Sequence, residues 1–253
     1  MLRIRAYASG STGNCYTLTS GKTTIMLDCG LPLREIQRLA GYDLPDAVLV
    51  THEHKDHSKA VKELMRRGVD LYMTAGTAEA IGICKDALAA QGLGVTWEHR
   101  LFVMQYGELH GISRDGKISA SVFATQHDAK EPCGFLIDDG QDRVLYATDT
   151  YYLRYKFPGL TKIMVEANHS YDILRENVRD GVLGKTLADR LTKSHFSIEN
   201  VVDFLKANDL SQVSEIWLIH LSRNNADPML FREMVMKATG KPVYVALERG
   251  SIG

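Results

Sequence analysis

The sequence predicts an α/β protein in which two mixed β-sheets pack face to face with helices outside, an αββα sandwich. Three observations lead there. Strand-like segments outnumber helical ones in the first half, and the two types alternate in the last third. No linker, internal repeat or low-complexity run divides the 253 residues, so one domain over 1–253 is preferred. The apolar run Ala47-Val48-Leu49-Val50 ends in Thr51-His52-Glu53-His54-Lys55-Asp56-His57, which crowds three imidazoles and the Asp56 carboxylate behind a buried strand. The order of elements accommodates the sandwich without forcing it.

At the amino terminus Met1 to Tyr7 alternates as a strand. Ala8-Ser9-Gly10-Ser11-Thr12-Gly13-Asn14 is a tight turn of small residues. Cys15 to Thr19 and Thr23 to Leu27, joined by Ser20-Gly21-Lys22, complete an antiparallel opening. Asp28 closes the third strand, and Leu33 to Leu39 has apolar residues at helical spacing. The strand that ends in the histidine cluster follows, then a helix over 58–67, a short strand at Leu71-Tyr72-Met73, and a helix from Thr77 to Ala90 that Gly92 and Gly94 end. Strands return at Leu101 to Val103, around Gly107 to Ile112, at Ile118 to Thr125, at Gly134 to Ile137 and at Arg143 to Ala147. Asp138-Asp139-Gly140 makes a hairpin of the last two. Beyond them come strand Ile163 to Val165, helices over Asp172 to Val178, Lys185 to Thr192 and Ile198 to Ala207, strand Ile216 to Ile219, helix Pro228 to Ala238 and strand Val243 to Val245.

Composition narrows the function. With 45% apolar and 24% charged residues the chain reads as an ordinary globular protein. Its net charge of −1 leaves no global basic field for nucleic acid, although a local patch would suffice. Cys15, Cys29, Cys84 and Cys133 form no Cys-x-x-Cys pair, which argues against a zinc ribbon or a redox dithiol. Neither a signal peptide nor a membrane span is expected, and a cytoplasmic protein is the default.

Residues two apart in an extended segment point the same way, so His52 and His54 can grip one cation. Asp56 and His57, where the chain turns into a helix, can reach a second. Imidazole nitrogen and carboxylate oxygen are the donors that Zn²⁺ and related divalent ions take. Three later strands also end in polar donors: His127 after Ser121-Val122-Phe123-Ala124, Asp149 after Val144-Leu145-Tyr146-Ala147, and His220 after Ile216-Trp217-Leu218-Ile219. His99 and His110 lie where no motif converges and read as structural or exposed. Arg66, Arg67 and Lys185 read as solvated.

The His-x-His-x-Asp-His stretch resembles the signature of the metallo-β-lactamase-fold hydrolases, and His127, Asp149 and His220 match the remaining ligand motifs in order. The resemblance implies the αββα sandwich and two divalent ions, Zn²⁺ by the His-rich ligation or Mn²⁺ by the hard oxygens of Asp56 and Asp149. It assigns His52, His54 and His127 to the first ion, Asp56, His57 and His220 to the second, and Asp149 to both. Asp28 matches an early aspartate that accepts from a ligand histidine and fixes its tautomer. Two such ions a few ångströms apart can share a water and make hydroxide available at neutral pH as the nucleophile, with Asp56 part of the catalytic set.

Over nearly its whole length the chain is similar to the bacterial YycJ/WalJ-type, RNase Z-like phosphodiesterase branch. Ala8 to Asn14, Leu27-Asp28-Cys29-Gly30, Gln126-His127-Asp128-Ala129, Ala147-Thr148-Asp149-Thr150 and Glu166-Ala167-Asn168-His169 carry the similarity. It implies a phosphodiesterase without the inserted cap domain of the β-CASP nucleases, acting on DNA as a 5′-to-3′ exonuclease. In this reading His195 lies beside the scissile phosphate and Glu166 orients it. Asn168 and His169 are candidate substrate contacts, as are Ser222 and Arg223, the latter either a two-point phosphate clamp or part of a surface salt bridge. One departure stands out: Ser194-His195-Phe196-Ser197-Ile198 occupies the place where the branch usually has Gly-His-Leu-Ser-Asn. The same metal site also suits a phosphodiesterase of small cyclic nucleotides, which should enclose its pocket, with a loop from a second subunit if the chain forms a homodimer. A non-enzymatic metal-binding scaffold is disfavoured, because no expected ligand is missing.

Overall fold

A computed structural model describes residues 1–84 and 98–246. The first sheet takes its strands in chain order: β1 (Arg3–Ala8), β2 (Cys15–Ser20), β3 (Thr23–Leu27), β4 (Ala47–Leu49), β5 (Asp70–Met73) and β6 (Leu101–Val103). Pairing is antiparallel through β3 and parallel from β3 to β6. A second sheet, ordered β13-β12-β11-β10-β9-β8-β7, comprises β7 (Leu109–Gly111), β8 (Ser119–Ala124), β9 (Cys133–Asp138), β10 (Arg143–Ala147), β11 (Lys162–Glu166), β12 (Glu215–Ile219) and β13 (Val243–Val245). It repeats the switch, antiparallel through β10 and parallel from β10 to β13.

Alternation along the strands sends one set of apolar side chains between the sheets and the other outward beneath helices. Leu18, Leu27, Leu49, Phe135, Tyr146 and Trp217 belong to the central layer. Met26, Val48, Val50 and Leu71 form an outer layer with residues of α1 (Leu33–Ala40), α3 (Val61–Arg66) and α4 (Ala75–Ile81). On the far side, Leu145, Val165 and Leu218 pack with residues of α7 (Ile198–Ala207) and α8 (Pro228–Thr239). Between β11 and α7 lie α5 (Tyr171–Arg179) and α6 (Lys185–Ser194). Among the described residues no helix is long and apolar enough to cross a membrane.

Two expected helices are corrected. The helix read over 58–67 is split into α2 (Lys55–Ser58) and α3. Its break falls where the Ala60 amide leaves the helical ladder to donate to the Cys29 carbonyl at 3.0 Å. Asp56 and His57 therefore sit inside a helical turn that starts at His54. The helix read from Thr77 begins earlier, on Thr74, whose side chain accepts from the Thr77 amide, and α4 ends at Gly82 in the left-handed region. The rest of that expected helix, to Ala90 with its Gly92 and Gly94 stop, lies outside the described residues.

Candidate metal centre

The site forms at the carboxyl ends of parallel strands, where side chains of successive loops converge. Asp28 follows β3 and the His52–His57 segment follows β4; His127 follows β8, Asp149 follows β10, Glu166 ends β11 and His220 follows β12. Asp28, Asp149 and His220 adopt left-handed backbone, with φ of 54°, 47° and 55°. For residues other than glycine such conformations cost about 1–3 kcal/mol each and persist only where neighbours enforce them. Here the Asp28 amide donates to the Leu49 carbonyl at 2.9 Å, and the His220 amide donates to Ser9 Oγ at 2.7 Å.

Gly30 sets how closely the loops approach. A Cβ at that position would stand 1.6 Å from the Asp56 carbonyl oxygen, so only glycine fits. The Asn14 amide donates to the same oxygen at 2.7 Å, and the Cys29 amide donates to the His57 carbonyl at 2.7 Å.

Donor atoms of His52, His54 and His127 lie within 4.8 Å of one another, and so do those of Asp56, His57 and His220. A third overlapping set, His52, His57 and Asp149, joins the two. These are the triads, with Asp149 between, into which the sequence reading sorted the same residues. Asp149 Oδ2 is 2.7 Å from His57 Nε2 and 3.3 Å from His52 Nε2.

The ring nitrogens facing away from the centre are held. His57 Nδ1 donates to Asp28 Oδ2 at 2.8 Å, and His127 Nδ1 to the Ser194 carbonyl at 3.1 Å. His220 Nδ1 lies 2.8 Å from Asp149 Oδ1 and 2.9 Å from Glu166 Oε1. With Nδ1 as donor, each of these rings presents an Nε2 lone pair inward. His52 Nε2 and His220 Nε2 are buried without a hydrogen-bond partner. Buried orphan acceptors are costly, and converging imidazole and carboxylate donors are what a divalent cation requires, so the residues present fit one.

Asp28 is itself saturated: Tyr146 Oη donates at 2.6 Å, and the Thr51 amide and hydroxyl donate at 2.8 and 3.0 Å. Glu166, fully buried, accepts from His195 Nδ1 at 2.6 Å, from His220 Nδ1, and from the amides of Thr150 and Phe196 at 3.0 and 3.2 Å. Burial opposes ionisation of Glu166, but the His195 charge outweighs it and holds the carboxyl below its ordinary range. Burial likewise opposes protonation of His195, and Glu166 and Asp149 overcome it, lifting the imidazole to about 9. Burial pushes His52 and His127 down. His57 and His220 are raised against burial, chiefly by Asp149. For Asp56 burial acts upward, while the nearby His220 and His57 imidazoles hold it well down.

The altered flank of His195 is absorbed by the outer core. Phe196 and Ile198 are buried there, and Ser197 caps α7 by accepting from the Asn200 amide at 3.2 Å.

A cavity of about 380 Å³ opens over the cluster, with His54, Asp56, His127, Asp149, His195 and His220 in its wall. Asn168, Ser222, Asn224 and Asn225 also line it. Two candidate substrate contacts do not. Arg223 is exposed beside Ser222, outside the lining, and His169 is wholly buried with neither ring nitrogen hydrogen-bonded, burial lowering it to about 4. His99 is exposed, and His110 pairs with Glu108 at 3.2 Å, away from the centre.

Sequence reasoning missed several participants. Asn14 Nδ2 lies 2.9 Å from His57 Nε2, and Arg190 of α6 enters the cavity wall while bonding Asp128 Oδ2 at 2.8 Å. The Ala8–Asn14 motif was a signal for Asn14. Arg190 gave none, since one cation on a polar helix looks solvated.

Comparison with known proteins agrees with this architecture. The family model described as a beta-lactamase superfamily domain matches residues 23–221. The exodeoxyribonuclease WalJ of Streptococcus pneumoniae is 29% identical over 229 residues, 86% of this chain and 81% of the relative. The exodeoxyribonuclease YycJ of Bacillus anthracis is 25% identical over 234 residues, covering 88% and 84%. Among solved structures, the metallo-beta-lactamase fold protein YhfI from Bacillus subtilis superposes with a TM-score of 0.68 at 18% identity, over 99% of this chain and 98% of that one. The metallo-β-lactamase fold implies divalent metal, and the chain is similar to the WalJ and YycJ exodeoxyribonucleases; by its family match it belongs to the beta-lactamase superfamily.

Proposed function

We propose that the chain is a dinuclear, divalent-metal-dependent phosphodiester hydrolase that removes nucleotides from the 5′ end of DNA. The observation that carries this is the meeting of two donor triads on Asp149 at the floor of a cavity whose wall holds His195 clamped by Glu166. The relatives named exodeoxyribonucleases, similar over most of both chains, supply the substrate class. His52, His54 and His127 would hold one ion, and Asp56, His57 and His220 the other, with Asp149 shared. Zn²⁺ suits the imidazoles, and Mn²⁺ the carboxylate oxygens. When bound, such ions supply Lewis-acid stabilisation of phosphoryl charge and ease deprotonation of water near neutral pH.

The protein's own groups do the rest. Glu166 holds the Nδ1 proton of His195 and so directs the other nitrogen of that ring to the cavity, where it can donate to a phosphate or leaving oxygen. Asn168, whose Nδ2 donates to the His220 carbonyl at 3.0 Å, and Ser222 offer neutral hydrogen bonds beside it. The reading treats the chain as a single domain, because each triad draws on residues that follow strands of both sheets.

The test incubates the protein, with Zn²⁺ or Mn²⁺, against 5′-phosphorylated single-stranded DNA and against 3′,5′-cyclic nucleotides, with His54→Ala as control. Stepwise loss from the DNA 5′ end by the wild type alone supports the proposal. Opening of cyclic nucleotides with DNA untouched overturns it.

A further inference from the structure

The chain that leaves β10 after Asp149 runs from Tyr151 to Phe157 outside any helix or sheet. Its alternate residues divide sharply. Leu153 and Phe157 are 5% and 7% exposed in the outer core, and Tyr155 packs on Phe123 and Phe157 with ring centroids 5.7 and 6.0 Å apart. The opposite face presents Tyr152, 55% exposed, with Arg154 and Lys156 in solvent. Arg154 lies with its guanidinium 5.3 Å from the centre of the Tyr155 ring. Among the described residues neither Arg154 nor Lys156 pairs with a carboxylate, whereas Arg100, Arg143, Lys162 and Arg190 all do.

Burying large apolar side chains fixes the backbone of this segment, so the exposed face is held in place. An exposed ring followed by two cations without a carboxylate partner, Arg154 lying against Tyr155 and donating to its hydroxyl at 3.3 Å, has the chemistry of a single-stranded nucleic acid track. Bases stack on the aromatic face in any sequence, and phosphates meet the cations. A duplex keeps its bases stacked on one another and has none to offer. The segment is also continuous with the centre. Tyr151 donates its amide to the Gln126 carbonyl at 3.3 Å, next to His127, and the Thr150 hydroxyl donates to the Tyr152 carbonyl at 2.9 Å. Because β10 and β11 are parallel, the segment leads from the cluster at the carboxyl end of β10 toward the amino end of β11 at the opposite end of the sheet. With a net charge of −1 over the whole chain, polyanion binding calls for a local concentration of cations, and this strip supplies two.

We propose that Tyr152, Arg154 and Lys156 form a track that holds the single strand running away from the scissile phosphate. The inference rests on the nuclease reading above, and its test separates the two. Anisotropy of a short 5′-phosphorylated single-stranded DNA, labelled at its 3′ end, is followed over a salt series. The His54→Ala chain, which spares the probe, is compared with the same chain carrying Tyr152→Ala, or Arg154→Gln together with Lys156→Gln. Loss of one stacked base weakens binding about tenfold. Loss of both cations lowers the slope of log affinity against log salt by about 1.4, about 0.7 for each charge. Affinity and slope equal to the parent in both variants overturn the track. If the wild type cleaves DNA in that event, the nuclease reading survives; if the variants bind weakly as expected but the wild type cleaves nothing, the track survives and the nuclease reading falls.

Discussion

Asp28 Oδ2 and His57 Nδ1 stand 2.8 Å apart, both side chains fully buried, in a pair that joins the end of β3 to the helical turn after β4. Tyr146 and Thr51 complete the shell of the carboxylate, so it has little freedom to do anything except fix the His57 tautomer. Asp28→Asn should keep the fold and lower metal affinity about 10–100-fold. A chelator-competition titration measures it, and unchanged affinity would sink the orienting role.

Metal should also stabilise the whole chain, because donors come from loops of both sheets. Ion at about a hundredfold excess over Kd contributes roughly 2.7 kcal/mol. For a chain of this length that raises Tm by about 5–10 °C. Calorimetry with and without chelator gives the shift, and His220→Ala should abolish most of it.

His195 is expected to serve turnover and not metal retention. His195→Ala should leave metal content near the wild-type value while kcat falls about 10²–10⁴-fold. Elemental analysis beside DNA-cleavage kinetics decides, and a metal-depleted variant would reassign the residue as a ligand.

Close backbone approach at Gly30 makes a sharp stability test. Gly30→Ala forces the Asp56 carbonyl away and should cost on the order of 3 kcal/mol in urea unfolding, with loss of activity. Gly184→Ala, where φ is −68° and nothing lies within 4 Å of the new Cβ, should be close to neutral.

Acid sensitivity should involve Asp139 in the β9–β10 hairpin. Burial would raise this carboxyl, but the Asp142 amide, the chain's amino group and Ser20 lower it from 3.8 to about 2. A carboxyl depressed by folding stabilises the native state above its unfolded pKa and loses that contribution as pH falls through the folded one. Asp139→Asn should therefore be less stable than wild type at pH 7, and the gap should close between 3.8 and about 2. Urea midpoints over that range test the sign.

The candidate metal donors were legible because His52, His127, Asp149 and His220 each stand just behind an apolar strand and the resemblance grouped them with His54, Asp56 and His57. The sandwich of two mixed sheets followed once the resemblance was in hand, but the order of strands within each sheet did not. Features set by tertiary contacts stayed hidden. The break between α2 and α3 depends on the Ala60 amide finding the Cys29 carbonyl, which no local periodicity encodes. Proximity in the chain does not decide exposure to the cavity: His169 and Arg223 adjoin lining residues by number, yet His169 is buried and neither is in the cavity wall. Asn14 and Ser9 act from a loop that the sequence marked as a turn and a family motif without assigning either side chain a contact.

The placement of His220 behind β12, next to last in the second sheet, has a consequence during synthesis. The ribosome makes the His52–His57 segment early, but the centre stays incomplete until β12 has emerged and paired with β11. A chain stopped before β12 therefore lacks the His220 donor and cannot assemble the Asp56, His57 and His220 triad.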